Sequence, residues 1–307
     1  MRSNECSRRK PWRYLAAVLF AATMAIPPSL CAEQLTKETE EGFKQYVRAA
    51  EARMDRELAA KDSFLWVDAL PQPSRQQAYG ELKSGQILIH QPQGNNATGA
   101  VSLPGGLIHD WTGIVFISGA SMSQVMSVLQ DYDSDERYYA PEVVKSRLLE
   151  RSANAFRVFL RLKQVHVVTV VLDTEYDVHY TFLDAKHVIS RSSSTRIAEV
   201  QDVGDPRERE MPVGDDHGFL WRLYSYWRLY ESEYGVYVQC NAISLTRSVP
   251  TGLAWLVRPF LESVPKDSLH FTLEATRNAV AKRGRSSASK KYFRTGEEQH
   301  EFNARCV

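Results

Sequence analysis

The chain has 307 residues, of which 43% are hydrophobic, 10% aromatic and 24% charged. That apolar share supports a folded core and excludes global disorder. A formal net charge of +1 excludes a strongly basic nucleic-acid binder, and four cysteines exclude a disulfide-dense scaffold.

Residues 1–32 read as a secretory signal. Arg8, Arg9, Lys10 and Arg13 form a basic start and Tyr14 to Ile26 an apolar run. Pro27 and Pro28 break any helix, and Ala32 offers a small residue for cleavage. The run is shorter than the roughly 20 residues that span a bilayer. The expected destination is a periplasm or the exterior. The alternative is a membrane anchor left uncleaved. The signal carries a net +4, so the mature chain would be at −3 and keep only Cys240 and Cys306. A Cys240–Cys306 bridge is disfavoured, because Cys306 lies at the end of a polar tail.

Phe43, Tyr46, Val47, Ala50, Met54 and Leu58 recur at helical spacing and predict a packing helix from about Lys37 to Ala60. Pro71 to Gly106 is rich in Pro, Gly, Gln and Asn. It contains one strand-like run, Gln86–His90, and a loop at Pro92–Thr98. Ile108–Ile117 predicts a strand. Ser121 and Gln124 form a capping box that opens a second helix, buried through Met122, Val125, Met126 and Leu129.

From Val143 to Thr246 the pattern is period two. Phe156, Val158, Leu160 and Leu162 alternate with polar neighbours, as do Leu172, Thr174, Tyr176, Val178 and Tyr180. Phe219, Trp221, Leu223, Ser225, Trp227 and Leu229 follow, then Val236, Val238, Cys240 and Ala242. Such alternation marks antiparallel strands with one face buried. Lys186–Val200 is more polar and reads as solvated. Glu231–Gly235 suits a hairpin. Thr251–Val257 predicts a short helix ahead of Pro259 and Pro265. Leu269, Leu273, Thr276 and Val280 predict a long one over about Asp267–Lys282. Six basic residues from Lys282 to Arg294 then meet no acid before Glu297, which predicts a disordered basic tail.

The chemistry-bearing patterns are sparse. The eight histidines show no metal-ligand spacing, and glycine-rich nucleotide loops and nucleophile elbows are absent, so no cofactor or metal is expected. Asp173, Glu175, Asp177 and His179 share one strand face, which suits a solvated surface better than a cation site. His109 and Asp110 are adjacent on a strand, so both cannot point inward.

Three groups of residues carry a resemblance. The first is Ile117–Ser121, Leu129–Asp133 and Tyr139–Val143. The second is Gly218–Trp227 with Ile243–Pro250. The third is Trp255–Phe260 with Ser268-Leu269. Together they resemble bacterial START-like helix-grip proteins, the superfamily of polyketide cyclases and lipid-transfer domains also called SRPBCC. The resemblance covers roughly Ile108–Lys282. It implies an α+β helix-grip fold, in which a curved antiparallel sheet wraps a long C-terminal helix, here with an N-terminal helical extension. The expected divisions are a signal at 1–32, a helical and extended segment at 33–107, the helix-grip domain at 108–282 and a basic tail at 283–307.

The resemblance also implies an apolar cavity between sheet and last helix. Its expected lining is Tyr176, Val178, Trp221, Leu223, Ser225, Trp227, Val236 and Val238, with no catalytic residue. The expected partner is a lipid or other hydrophobic small molecule, bound by a monomer that touches no nucleic acid. The enzyme alternative is a cyclase or hydrolase using His109, Asp110 or His217 at the cavity mouth. A third reading has the basic tail touching anionic membrane.

Overall fold

The computed structural model describes residues 33–60, 63–92, 100–165, 169–248 and 263–285. The signal at 1–32, the short helix at 251–257, the tail from 286 and Cys306 lie outside the described residues.

The chain enters through strand β1 (Glu33–Gln34) and helix α1 (Lys37–Ala59). Thr36 caps α1 by accepting the backbone N–H of Thr39 at 3.1 Å. A 3-10 turn at Trp66–Ala69 and helix α2 (Ser74–Lys83) follow. The strands β2 (Leu88–His90), β3 (Ala100–Leu103) and β4 (Gly106–Ser118) come next. Helices α3 (Met122–Leu129) and α4 (Asp135–Tyr138) lead into the main strands. These are β5 (Val143–Ser152), β6 (Ala155–Val165), β7 (Thr169–Phe182) and β8 (His187–Gln201). Two short strands, β9 (Arg209–Glu210) and β10 (Asp215–Asp216), precede β11 (Arg222–Ser232) and β12 (Gly235–Arg247). Helix α5 spans residues 263–285.

The principal sheet runs β2-β4-β12-β11-β8-β7-β6-β5, with antiparallel pairing throughout. β4 closes the circuit by pairing with β12 along its whole length, so the first long strand lies beside the last. Gly235 sits at the β11–β12 turn with φ +146°, where an added Cβ would lie 2.2 Å from the Ile117 carbonyl oxygen. Only glycine fits there.

One face of the sheet grips α5. Leu269, Leu273, Ala279 and Val280 of the helix join Val115, Ile117, Val236, Val238, Cys240 and Leu229 in one apolar cluster, sealed at one end by α3. Gly113 lets the helix approach. A Cβ at this position would lie 2.5 Å from Leu273 Cδ1 and 3.3 Å from Leu269 Cδ2. The Tyr139 and Thr276 hydroxyls meet at 3.0 Å, and Gln164 Nε2 donates to Ser268 at 3.1 Å. The architecture is an α+β helix grip.

The opposite face carries the N-terminal extension. Phe43, Val47, Ala50 and Met54 of α1 pack on Ile108, Ile243 and Leu245. Leu65, Val67, Ala78 and Leu82 pack on Ile114, Phe116 and Tyr237. Buried Asp110 ties this layer down by accepting from Tyr46 at 2.8 Å and from Asn241 Nδ2 at 2.7 Å. Arg228, also buried, donates to the Met54 and Phe64 carbonyls and pairs with Glu57 at 2.8 Å.

Several expectations need correction. α2 falls inside the stretch read as irregular. β8 is not solvated: it lies between β7 and β11, and Ser190, Ser194, Ile197, Ala198 and Glu199 are buried. α5 absorbs Pro265 in its first turn, where the missing N–H costs nothing. It also runs on to residue 285, so Arg283 belongs to the helix and donates to Asp131 at 2.7 Å.

Candidate functional site: the gripped face of the sheet

Strand register decides what faces α5. Trp227 pairs with Cys240 on one side and Ser190 on the other, and Ser190 in turn pairs with Tyr180. Cys240 pairs with Gly113. The next row toward the opposite end of the sheet is Trp111, Ala242, Ser225, Ser192 and Val178. The row beyond that is His109, Ser244 and Leu223, with Ser194 and Tyr176 paired beside them.

This face changes character along the strands. Near α3 it is solid: Val115, Val188, Leu229 and Val238 are 0–1% exposed. Toward the far end Trp111, Leu160, Leu162, Leu223 and Trp227 are only half-buried, although their neighbours are sealed. Of these, Trp111, Leu160, Leu223 and Trp227 pack against the main cluster and still keep open surface. An apolar wall in this condition can cover a hydrophobic guest at little cost.

Of the expected lining residues, Tyr176, Val178, Leu223, Ser225 and Trp227 come together on this wall. Val236 and Val238 share its direction but are fully buried in the packed end, where they fill core. Trp221 is placed elsewhere. It sits in a bend before β11, which breaks the alternation. Its ring joins Phe43 and Ile108 on the α1 side, and its Nε1 donates to Asp216 at 3.0 Å. Reading the sequence also missed Trp111, Leu160 and Leu162 as wall residues, along with the inward serines of β8. The alternation Val188-Ser190-Ser192-Ser194 was the available signal.

Polar groups on or near this face are mostly uncharged. His109 is 1% exposed, with Nε2 3.2 Å from the Thr246 hydroxyl, and burial pushes its pKa down to about 4. Its imidazole is therefore neutral at neutral pH. Asp110 points to the opposite face, as strand alternation requires. His217 Nδ1 lies 2.7 Å from Glu199. Cys240 is a free, buried thiol, and burial raises its pKa strongly. Below the packed end, Asp135 is buried, and its pKa is raised by burial and by the nearby Asp131 and Asp133. On the outer face Asp173 pairs with Arg161 at 2.7 Å and Asp177 with Arg157 at 3.3 Å. No metal-binding group of side chains occurs among the described residues.

A concavity of about 550 Å³ lies between α1 and strands β5, β6, β7, β8 and β11. Val47, Tyr224 and Tyr226 line it beside Arg157, Arg191, Glu51 and Asp177. Its charges are largely paired, Arg157 with Asp177 at 3.3 Å and with Glu150 at 4.0 Å, and Arg191 with Glu51 at 3.9 Å.

No protein-family model and no curated protein sequence matches the chain. Solved structures do. A fragment of the STAR-related lipid transfer protein from Xanthomonas axonopodis is 19% identical, over 60% of this chain and 99% of that one, with a TM-score of 0.41. The Zhui aromatase/cyclase from Streptomyces sp. R1128 is 15% identical over 59% and 98%, with a TM-score of 0.40. Human STARD10 is 10% identical over 72% and 84%, also at 0.40. The likeness is one of fold.

Proposed function

We propose that the protein binds or carries a lipid or other hydrophobic small molecule between the gripped face of the sheet and α5, without transforming it. One observation carries this reading: Trp111, Leu160, Leu162, Leu223 and Trp227 form a half-buried apolar wall at one end of an otherwise closed core. A chain that used this face only as core would seal it, since each exposed Å² of apolar surface forgoes about 25 cal/mol. A catalytic use would need an acid or base aimed at the guest. Asp110 faces away, His217 is bonded to Glu199, and His109 is buried against Thr246.

In this proposal residues 1–32 direct export, and the protein works as a monomer outside the cytoplasm. The basic residues after α5 supply a peripheral contact with anionic lipid. N-terminal sequencing of protein from the native host tests the first point, and liposome binding after deletion of residues 286–307 tests the last.

The ligand itself is tested with N-phenyl-1-naphthylamine, an apolar probe whose emission rises on burial. Titration should show saturable binding, accompanied by quenching of tryptophan emission. Trp227→Ala and Trp111→Ala should each weaken binding by about tenfold, the loss of roughly 1.4 kcal/mol of contact. Unchanged affinity in both variants would mean the probe sits elsewhere and would refute the assignment.

A further inference from the structure

The apolar wall contains a seam of hydroxyls. β8 puts Ser190, Ser192 and Ser194 on three successive inward positions, and Ser225 of β11 stands directly beside Ser192. Serine is a poor choice for the centre of a buried sheet, where β-branched and aromatic residues pack best. These side chains nevertheless occupy the middle of the molecule, with Ser190 2% and Ser194 7% exposed.

Three polar atoms on this face complete no well-formed hydrogen bond: the Ser190 hydroxyl, which has the Tyr180 hydroxyl nearby, the Tyr176 hydroxyl, which has the Thr174 hydroxyl nearby, and Trp111 Nε1. Ser190 and Tyr176 are both more than nine-tenths buried. Other polar groups on the same strand face are already engaged: the Ser194 hydroxyl accepts from the Leu223 N–H at 3.1 Å and the Ser225 hydroxyl from Trp227 Nε1 at 3.3 Å, each keeping its own O–H to donate. The Tyr180 hydroxyl donates to the Leu129 carbonyl at 3.0 Å and lies 2.9 Å from the Tyr132 hydroxyl. The Thr174 hydroxyl donates to the Leu160 carbonyl at 2.8 Å. Buried polar atoms are satisfied in the great majority of folded proteins, so a cluster of three on one wall points to something they meet in use. Trp111, Tyr176 and Ser190 stand on three different strands, which makes a shared accident of local backbone geometry a poor explanation.

The chemistry of the missing partner follows from the donors. Serine and tyrosine hydroxyls both donate and accept, whereas the indole N–H only donates. Together they suit a hydroxyl or carbonyl oxygen. The three rows that carry them, from His109 across to Tyr176, Trp111 across to Val178 and Gly113 across to Tyr180, contain no Lys, Arg, Asp or Glu. The carboxylate on the next inward stretch of β8, Glu199, is bonded to His217. A carboxylate or phosphate head placed on the seam would lose its water and gain no counter-ion.

We infer that Ser190, Ser192, Ser194 and Ser225, with the Tyr176 hydroxyl and Trp111 Nε1, form a polar subsite inside the apolar wall. The subsite takes an uncharged oxygen-bearing group of the guest and discriminates against a charged head. This rests on the hydrophobic-ligand reading above and narrows its substrate class to neutral amphiphiles.

Competition against N-phenyl-1-naphthylamine on the full chain tests it. Three competitors share one sixteen-carbon chain and are delivered from cyclodextrin at pH 8: 1-palmitoylglycerol, palmitate and hexadecane. The expected order places 1-palmitoylglycerol at least tenfold tighter than either of the others. The variant S190A/S192A/S225A should lose about tenfold for 1-palmitoylglycerol and nothing for hexadecane. Tyr176→Phe, which removes one oxygen and keeps the ring, should lose severalfold and guards against a triple variant that fails to fold. Equal affinity for palmitate and 1-palmitoylglycerol would overturn the polar subsite and leave the apolar site standing. Failure of the probe itself to bind would overturn both.

Discussion

Replacing Gly113 with alanine should push α5 off the sheet. The added Cβ would lie 2.5 Å from Leu273 Cδ1, 2.7 Å from Ile89 Cδ1 and 3.3 Å from Leu269 Cδ2. Leu273 is 0% exposed and Leu269 4%, so neither has solvent to swing into. Overpacking of this kind costs about 1–3 kcal/mol. At about 2–4 °C per kcal/mol for a domain of this size, Tm should fall by several degrees. Leu273→Ala alone should cost about 2–5 kcal/mol, because it leaves a cavity in the grip. The double variant G113A/L273A puts the new methyl into the space the leucine vacates. It should therefore be more stable than the sum of the single effects by at least about 1 kcal/mol. Urea denaturation of the four proteins measures this coupling. A G113A cost under about 0.5 kcal/mol, or strict additivity, would refute the close approach of helix and strand at this point.

Two further outcomes follow from buried titratable groups. The pKa of His109 is pushed down by burial to about 4, so the unfolded chain binds a proton that the folded one refuses between about pH 6.5 and 4. Stability from this site is full above pH 6.5 and falls by about 3 kcal/mol as pH drops to 4. His109→Gln should flatten that part of the stability–pH curve, and an unchanged slope would count against the burial. Asp135 has the opposite sign, because its pKa is raised in the folded state. Its contribution is present at low pH and lost as pH rises through the folded value. Asp135→Asn should therefore raise stability at pH 7 by about 1–3 kcal/mol, with the gain vanishing near pH 3. A destabilised variant at pH 7 would contradict this.

Much of the fold was legible in the amino-acid pattern, because long periodic segments carry their own geometry. The α1 stripe from Phe43 to Met54, the Ser121–Gln124 capping box and the α5 stripe from Leu269 to Val280 all sit where the spacing puts them. α2 was hidden because Ala78 and Leu82 are its only buried side chains, too few to show a period. β8 was hidden because the serines that face inward are polar, and polarity reads as solvent. One of them, Ser190, is also among the buried polar atoms left without a partner inside the wall. Trp221 was misplaced because alternation holds only within a strand, and a bend separates it from β11. That α1 and α2 cover the outer face depends on contacts such as Tyr46 with Asp110 and Arg228 with Met54, pairs about 60 to 175 residues apart that no local pattern reveals.

Native mass spectrometry of the protein, purified from its own host without detergent, tests the hydrophobic-ligand reading most directly. The half-buried wall at Trp111, Leu160, Leu223 and Trp227 predicts a second species, heavier by one lipid-sized neutral molecule, that grows on incubation with a total lipid extract. The bare polypeptide mass alone, before and after that incubation, would contradict it.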